Sequence, residues 1–291
     1  MNCVGFKFLA RRGKEGVNHC VSLHGLLLAM FPLMLGAGGQ TRKDLAEALG
    51  LVGHGADSKE LALVLARLFR PRPEDGISLR QSNVLWLDKR LTVLDSFKQD
   101  LAEFGGAQIC SVDFHKHLPQ VRELISSWLI AQTCSRTRSA ADCGMIFDTT
   151  RVAITSAAFA QGGWTFPFPD SASTMVPFET ADGESASVRT MSQDGVFRYF
   201  EDDAGQNIEL PLGSGRYVFF IHLPRKSLKT TLDAEALARA RAGMTPRHAH
   251  LQIPSVRICR QGSLREECMQ SELRVVFYAN ADLSNMTESK G

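Results

Sequence analysis

Ten consecutive residues, Leu26 to Leu35 in the stretch LLLAMFPLML, carry neither a charge nor a hydrogen-bonding side chain. A helix that is apolar all the way round has no solvent face and must be enclosed. The run is shorter than the roughly 20 residues that cross a bilayer, so it reads as a helix buried on all sides. Pro32 lies inside it, where a proline deletes one helical hydrogen bond and clashes one turn back, at a cost of about 3 kcal/mol. There is ample chain for the enclosing core, because 291 residues with 44% hydrophobic and 22% charged describe an ordinary globular protein rather than a disordered one.

The pattern on either side of that helix sets the fold class. TRKDLAEALG (41–50) reads as a short helix, with a Thr41 to Asp44 spacing that resembles a capping box and Gly50 as a left-handed stop. A further helix is expected over 58–69, ended by RPRP. The period then changes. ISLRQSNVLWLD (77–88) begins by alternating and ends in an apolar run, as a strand entering a covered sheet would. Phe97, Leu101 and Phe104 restore helical spacing before Gly105 and Gly106, and AQICSVDF is a strand again. Val121, Leu124, Ile125, Trp128 and Leu129 mark an amphipathic helix, and TRVAITSAAFA a buried strand. From residue 175 onward short strands alternate with turn residues, as in NIELPL and RYVFFIHLP. A helix over 233–243 intervenes before HLQIPSVRI and LRVVFY (273–278), both read as strands. Helices gather early and strands late without βα alternation, so the class is α+β.

Composition removes several function classes. A net charge of +2 with scattered basic residues is not the footprint of a nucleic-acid binder. Seven cysteines without a C-x-x-C pair indicate neither a disulfide framework nor a zinc site, and read as free and mostly buried thiols in a reducing compartment. There is no nucleophile elbow, H-E-x-x-H or P-loop, so an enzyme is not expected. GAGGQT (36–41) has a phosphate-loop look but follows a helix instead of a strand. His248 with His250, and His115 with His117, would each share a strand face; without a third ligand such pairs read as solvated, and no metal or cofactor is expected. Asn285 in NMT fits a glycosylation acceptor that matters only on export. The N-terminal apolar patch is too short for a signal peptide, so a cytoplasmic location is expected, or a secreted one if the N-terminus is incomplete.

SAAFAQGGWTFPF (156–168) runs a buried strand through paired glycines into a tryptophan and a Pro-Phe step. It resembles the Asn-Ala-Ile-Tyr-Phe-Lys-Gly-x-Trp run of the serpin family, with Ala157, Phe159, Gly162, Trp164, Pro167, Phe168 and Thr174 in register. LGAGGQT (35–41) is similar to the family's Leu-Gly-Ala-x-Gly-x-Thr signature, and ISSWLIAQT (125–133) to its Ile-Asn-x-Trp helix. Phe178, Asp182, Gly183, Val188, Met191 and Gln193, then FFIHLP, IPSVRI and ANADLS, continue the resemblance in order. It implies a single serpin-like domain over 1–291, with helices around three mostly antiparallel sheets.

The same resemblance implies a serine-type endopeptidase inhibitor, but one expected to lack the C-terminal strands, hinge and reactive-centre loop that would follow ANADLS. As this chain it would then be non-inhibitory. The alternatives are an interaction protein that accepts a strand or partner in trans, or a degenerate fragment without independent function. A serine protease would be a partner only with the loop supplied; a peptide or protein could join by strand addition, and neither nucleic acid nor membrane is expected. Family members carry Ser-Pro-x-Ser at the start of the buried helix, clustered with the strand's Asn beneath the opening point of the large sheet. Here the run is Ser22, Leu23, His24, Gly25, and the Asn position is Ser156. Ser22, Ser156, Gly162, Trp164 and Phe168 are therefore the residues expected to govern fold and sheet opening. The histidine that partners this cluster in the family falls on the missing strand, so a polar group buried there needs another partner or water.

Overall fold

The apolar run forms helix α1 (Leu23–Gly36), buried from Gly25 to Gly36 except at Leu28, with Pro32 inside it. The computed structural model describes residues 6, 20–50, 75–104, 107–132, 146–180, 183–225, 232–255 and 263–288. The helix expected over 58–69, the glycine stop at 105–106, Asp182 and the N-terminal stretch before residue 20 lie outside these, apart from residue 6. Among the described residues no helix is long and apolar enough to cross a membrane.

Ala37 and Gly38 lead from α1 into α2 (Gly39–Ala48), and Gly50 at φ +70° follows it as the left-handed stop. The expected capping box does not form. The α2 N-cap is Gly38, and the Thr41 hydroxyl instead accepts the Asp282 backbone N–H at 3.0 Å. The glycines here serve close approach. A Cβ on Gly36 would lie 2.7 Å from Met286 side-chain atoms, and one on Gly38 2.6 Å from Asp282 Oδ2. Residues 281–288 thus seat in the α1–α2 corner. The Gly38 N–H donates to Asp282 C=O at 3.0 Å, and Asn285 Nδ2 donates to Ala37 C=O at 2.8 Å. Met286 is fully buried there, in one core with Leu27, Phe31, Leu45, Leu85, Phe97 and Leu273.

A three-stranded sheet lies on α1. Its order is β2 (Gln108–Val112), β1 (Ile77–Asp88), β3 (Val152–Gly162), parallel between β1 and β2 and antiparallel between β1 and β3. Alternation in the buried half of β1 sends Leu85 and Leu87 toward α1 and helix α3 (Asp95–Phe104). Val84 and Trp86 point the other way, against helix α4 (Leu118–Gln132). Both faces are covered, which is why VLWL reads as an unbroken apolar run. The amphipathic stripe of α4 is placed as expected for Val121, Ile125, Trp128 and Leu129, whereas Leu124 is 48% exposed.

The remaining strands make an antiparallel five-stranded sheet that branches at β5 (Ser185–Glu201). Its first seven residues pair with β4 (Ser173–Glu179) and its last four with β6 (Gly205–Leu212), while β8 (Thr245–Pro254) takes the middle of its other edge. β6 in turn pairs with β7 (Tyr217–Pro224). Among the described residues the strands thus form a three-stranded sheet and this five-stranded sheet, whose pairings meet at the shared strand β5. Helix α5 (Ala234–Gly243) is capped by Asp233 and precedes β8. One expected strand is a correction: residues 272–277 form a 3₁₀ helix, not a strand, after α6 (Arg265–Met269). Ser271 Oγ accepts the Leu273 N–H at 3.1 Å and starts that turn, and the segment lies along α2.

Candidate functional site

The N-terminus of α1, the middle of β3 and the start of β1 meet in a polar cluster. Ser22 is the N-cap of α1, its hydroxyl accepting the Gly25 N–H at 3.0 Å and so satisfying one of the unpaired donors of the first turn. Ser156 Oγ donates to Gly25 C=O at 3.2 Å and accepts from Gln81 Nε2 at 2.9 Å. The same amide reaches Asn83 Oδ1 at 3.1 Å. Asn83 is the register partner of Ser156, so both side chains stand on one face of the sheet. Gly25 leaves room for this contact: a Cβ there would sit 3.1 Å from Ser22 Oγ and 3.2 Å from Ser156 Oγ. Beside it, burial pushes the His24 imidazole below its ordinary range.

Gln81 and Asn83 escape a sequence reading, because only the β1–β3 register brings them beside Ser156. Alternation places Gln81 and Asn83 on one face of β1, but nothing local says which residue of a strand 70 positions away they meet. Gln81 Oε1 is buried and has no hydrogen-bond donor among the described residues. Among the described strands β3 pairs with β1 alone.

Gly162, Trp164 and Phe168 are not part of this cluster. They lie at the far end of β3, six residues on, or about 20 Å at the rise of a strand. Gly162 pairs with Ile77, whose Cδ1 would lie 2.0 Å from a Cβ at that position. The Trp164 ring meets Phe168 and Phe219 edge-on, with centroids 5.5 and 5.6 Å away. Trp164 also bridges to Leu212, and it packs on the core of Phe197, Ile208, Leu210 and Ile253. One group thus anchors β3 to α1, and the other anchors it to the five-stranded sheet.

The opposite end of the three-stranded sheet is closed by two buried carboxylates. The Arg90 guanidinium grips Asp88 in a bidentate pair at 2.5 and 2.9 Å and holds its carboxyl below the usual range. Lys89, 2.7 Å from Asp113, and the Lys116 N–H at 2.9 Å hold the Asp113 carboxyl far below that range. That turn ends β2, so His115 and His117 lie in a turn and not on a strand face, as the alternation of their spacing had implied. Among the described residues no three His, Cys, Asp or Glu side chains converge as a metal-binding group.

Comparison with known proteins agrees with this architecture. The chain is 24% identical over 274 residues to serine protease inhibitor 42Dd of Drosophila melanogaster, covering 93% of this chain and 72% of that protein. It is 26% identical over 228 residues to ovalbumin of Dromaius novaehollandiae, covering 75% of this chain and 59% of that one. The chain therefore spans well under the full length of these relatives. The solved structure of emu ovalbumin superposes with a TM-score of 0.87 at 22% identity, covering all of this chain and 81% of the other. The family model described as serpin (serine protease inhibitor) matches residues 2–291, and the chain belongs to the serpin family.

Proposed function

We propose that residues 1–291 act as a serpin-fold interaction protein that takes up a strand from a partner, and that by themselves they do not inhibit a protease. The family is one of serine protease inhibitors. The resemblance aligns residues 279–284 with the turn that precedes hinge and reactive loop, so neither bait nor inserting strand falls within these residues. The observation that carries the reading is the edge of β3 opposite β1, with which no described strand pairs. An unpaired edge offers a row of backbone donors and acceptors to an extended peptide. A strand laid along that edge of β3 would pair with them. The edge strand β7 favours the same behaviour, because Val218, Phe219 and Leu223 are exposed on it and no charge lies between Tyr217 and Pro224.

The test is thermal unfolding by circular dichroism, with and without a synthetic peptide spanning a complete relative's missing strands. In parallel, residual trypsin and chymotrypsin activity is measured after incubation with the chain. A peptide at a hundred times its Kd stabilises by about 2.7 kcal/mol, which raises Tm by roughly 5–10 °C for a domain of this size. Protease activity stays unchanged. Loss of protease activity sinks the non-inhibitory half of the proposal, and an unshifted melt sinks the strand-accepting half. A chain with no cooperative transition in either condition is a fragment without independent function.

A further inference from the structure

The outer face of the β5–β8 ribbon carries a group of residues outside the clusters described above. β8 alternates buried Ile253 and half-buried Leu251 and Ala249 with exposed Gln252, His250 and His248. The register sets Asp194 of β5 opposite His250, and Val196 opposite His248. All four are open to solvent, Val196 at 64%.

Two imidazoles two residues apart on one strand face stand about 6.7 Å apart at their Cα atoms, a span that rings tilted toward each other can close on one ion at about 2.0–2.1 Å from each nitrogen. The sequence alone left this pair without a third group, and the ladder supplies one. His250 Nδ1 lies 2.9 Å from Asp194 Oδ1. A carboxylate only accepts, so Nδ1 donates in this contact and Nε2 is the ring nitrogen left to bind a metal. This is the arrangement by which a carboxylate fixes the tautomer and raises the basicity of a metal-ligating histidine. No described residue hydrogen-bonds His248. The nearest cation on that face of β5, Arg198, is drawn away to Glu209 at 3.6 Å and to Arg241 C=O at 3.4 Å.

We propose that His248 and His250 chelate one divalent transition-metal ion of the zinc or copper class, with Asp194 as the carboxylate that orients His250. Asp194 acts from behind the imidazole and not on the ion, which is consistent with no three ligating side chains converging among the described residues. The remaining coordination positions go to water or to a donor from a partner. Imidazole nitrogen suits Zn²⁺ and Cu²⁺, whereas hard cations such as Mg²⁺ and Ca²⁺ need oxygen-rich sites.

The test is isothermal titration calorimetry of the full chain with ZnCl₂ and, separately, with CuCl₂, using MgCl₂ as the control. One Zn²⁺ or Cu²⁺ binds per chain and Mg²⁺ does not. His248→Gln or His250→Gln abolishes that binding, and Asp194→Asn weakens it about 10–100-fold, with circular dichroism showing each variant folded like the parent. Val196→His adds a third imidazole directly across from His248 and tightens binding at least about tenfold, a gain that misfolding cannot produce. The proposal is overturned if the parent shows no saturable binding, if binding survives both histidine substitutions, or if Val196→His leaves the affinity unchanged.

Discussion

Truncating Met286 to alanine measures how much the 281–288 segment contributes to the core. Met286 is fully buried, and the position a Cβ of Gly36 would occupy is 2.7 Å from both its Cβ and its Cε. Met286→Ala removes Cγ, Sδ and Cε from a wall formed by a helix that is itself enclosed, so the site cannot collapse easily. Core Met→Ala changes cost about 2–5 kcal/mol, and this confinement places the value near 3 kcal/mol. At about 2–4 °C per kcal/mol for a domain of this size, Tm falls by roughly 6–12 °C. Gly36→Ala in the parent costs about 1–3 kcal/mol through overpacking. Combined with Met286→Ala it costs less, because the Cε clash is gone while the Cβ contact remains, and the coupling is about 1 kcal/mol in favour of the double variant. Urea denaturation of the four proteins, followed at 222 nm, yields the cycle. A Met286→Ala penalty below about 0.5 kcal/mol, within the range of an ordinary surface change, would refute the claim that this segment completes the core.

Ser156→Ala removes the donor to Gly25 C=O and the acceptor of Gln81 Nε2. The expected loss is about 1–3 kcal/mol in urea midpoints, and the melt of Ser156→Ala should respond less to added peptide than the parent's does. Asp113 and Asp88 have folded-state pKa values depressed by Lys89 and Arg90 respectively, so their contribution is present above the unfolded value of about 3.9 and is lost as pH falls below it. Thermal melts between pH 7 and 2 should show stability declining below about pH 4, with a shallower decline in Asp113→Asn; equal slopes would exclude Asp113 as a source.

The strands and helices that bury a face were legible from period alone, as β1 and α4 show, whereas β3, expected as a buried strand, buries only Ala157 among its residues. The misreadings fall where a distant partner overrides a local signal. LRVVFY has the branched and aromatic residues of a strand, but the Ser271 cap and the surface of α2 wind it into a 3₁₀ turn. Thr41 has the spacing of a capping box, but its hydroxyl is claimed by Asp282. His115 and His117 alternate like strand residues, but the Asp113 side chain captures the Lys116 N–H and turns the chain. Ser22 and Ser156 could be named from motif register. Gln81 and Asn83 could not, since strand pairing is long-range information that no local window of sequence contains.

The docking of residues 281–288 on the α1–α2 corner also orders events in time. Asn285 and Ala37 meet across 248 residues. At about 5–20 residues per second of synthesis, α1 waits on the order of 12–50 s for the segment that closes its last wall. Strand-rich folds with such remote contacts are already slow to fold. Throughout that wait a helix apolar from Leu26 to Leu35 stands partly uncovered on a growing chain, which makes α1 the segment where a folding chaperone would engage.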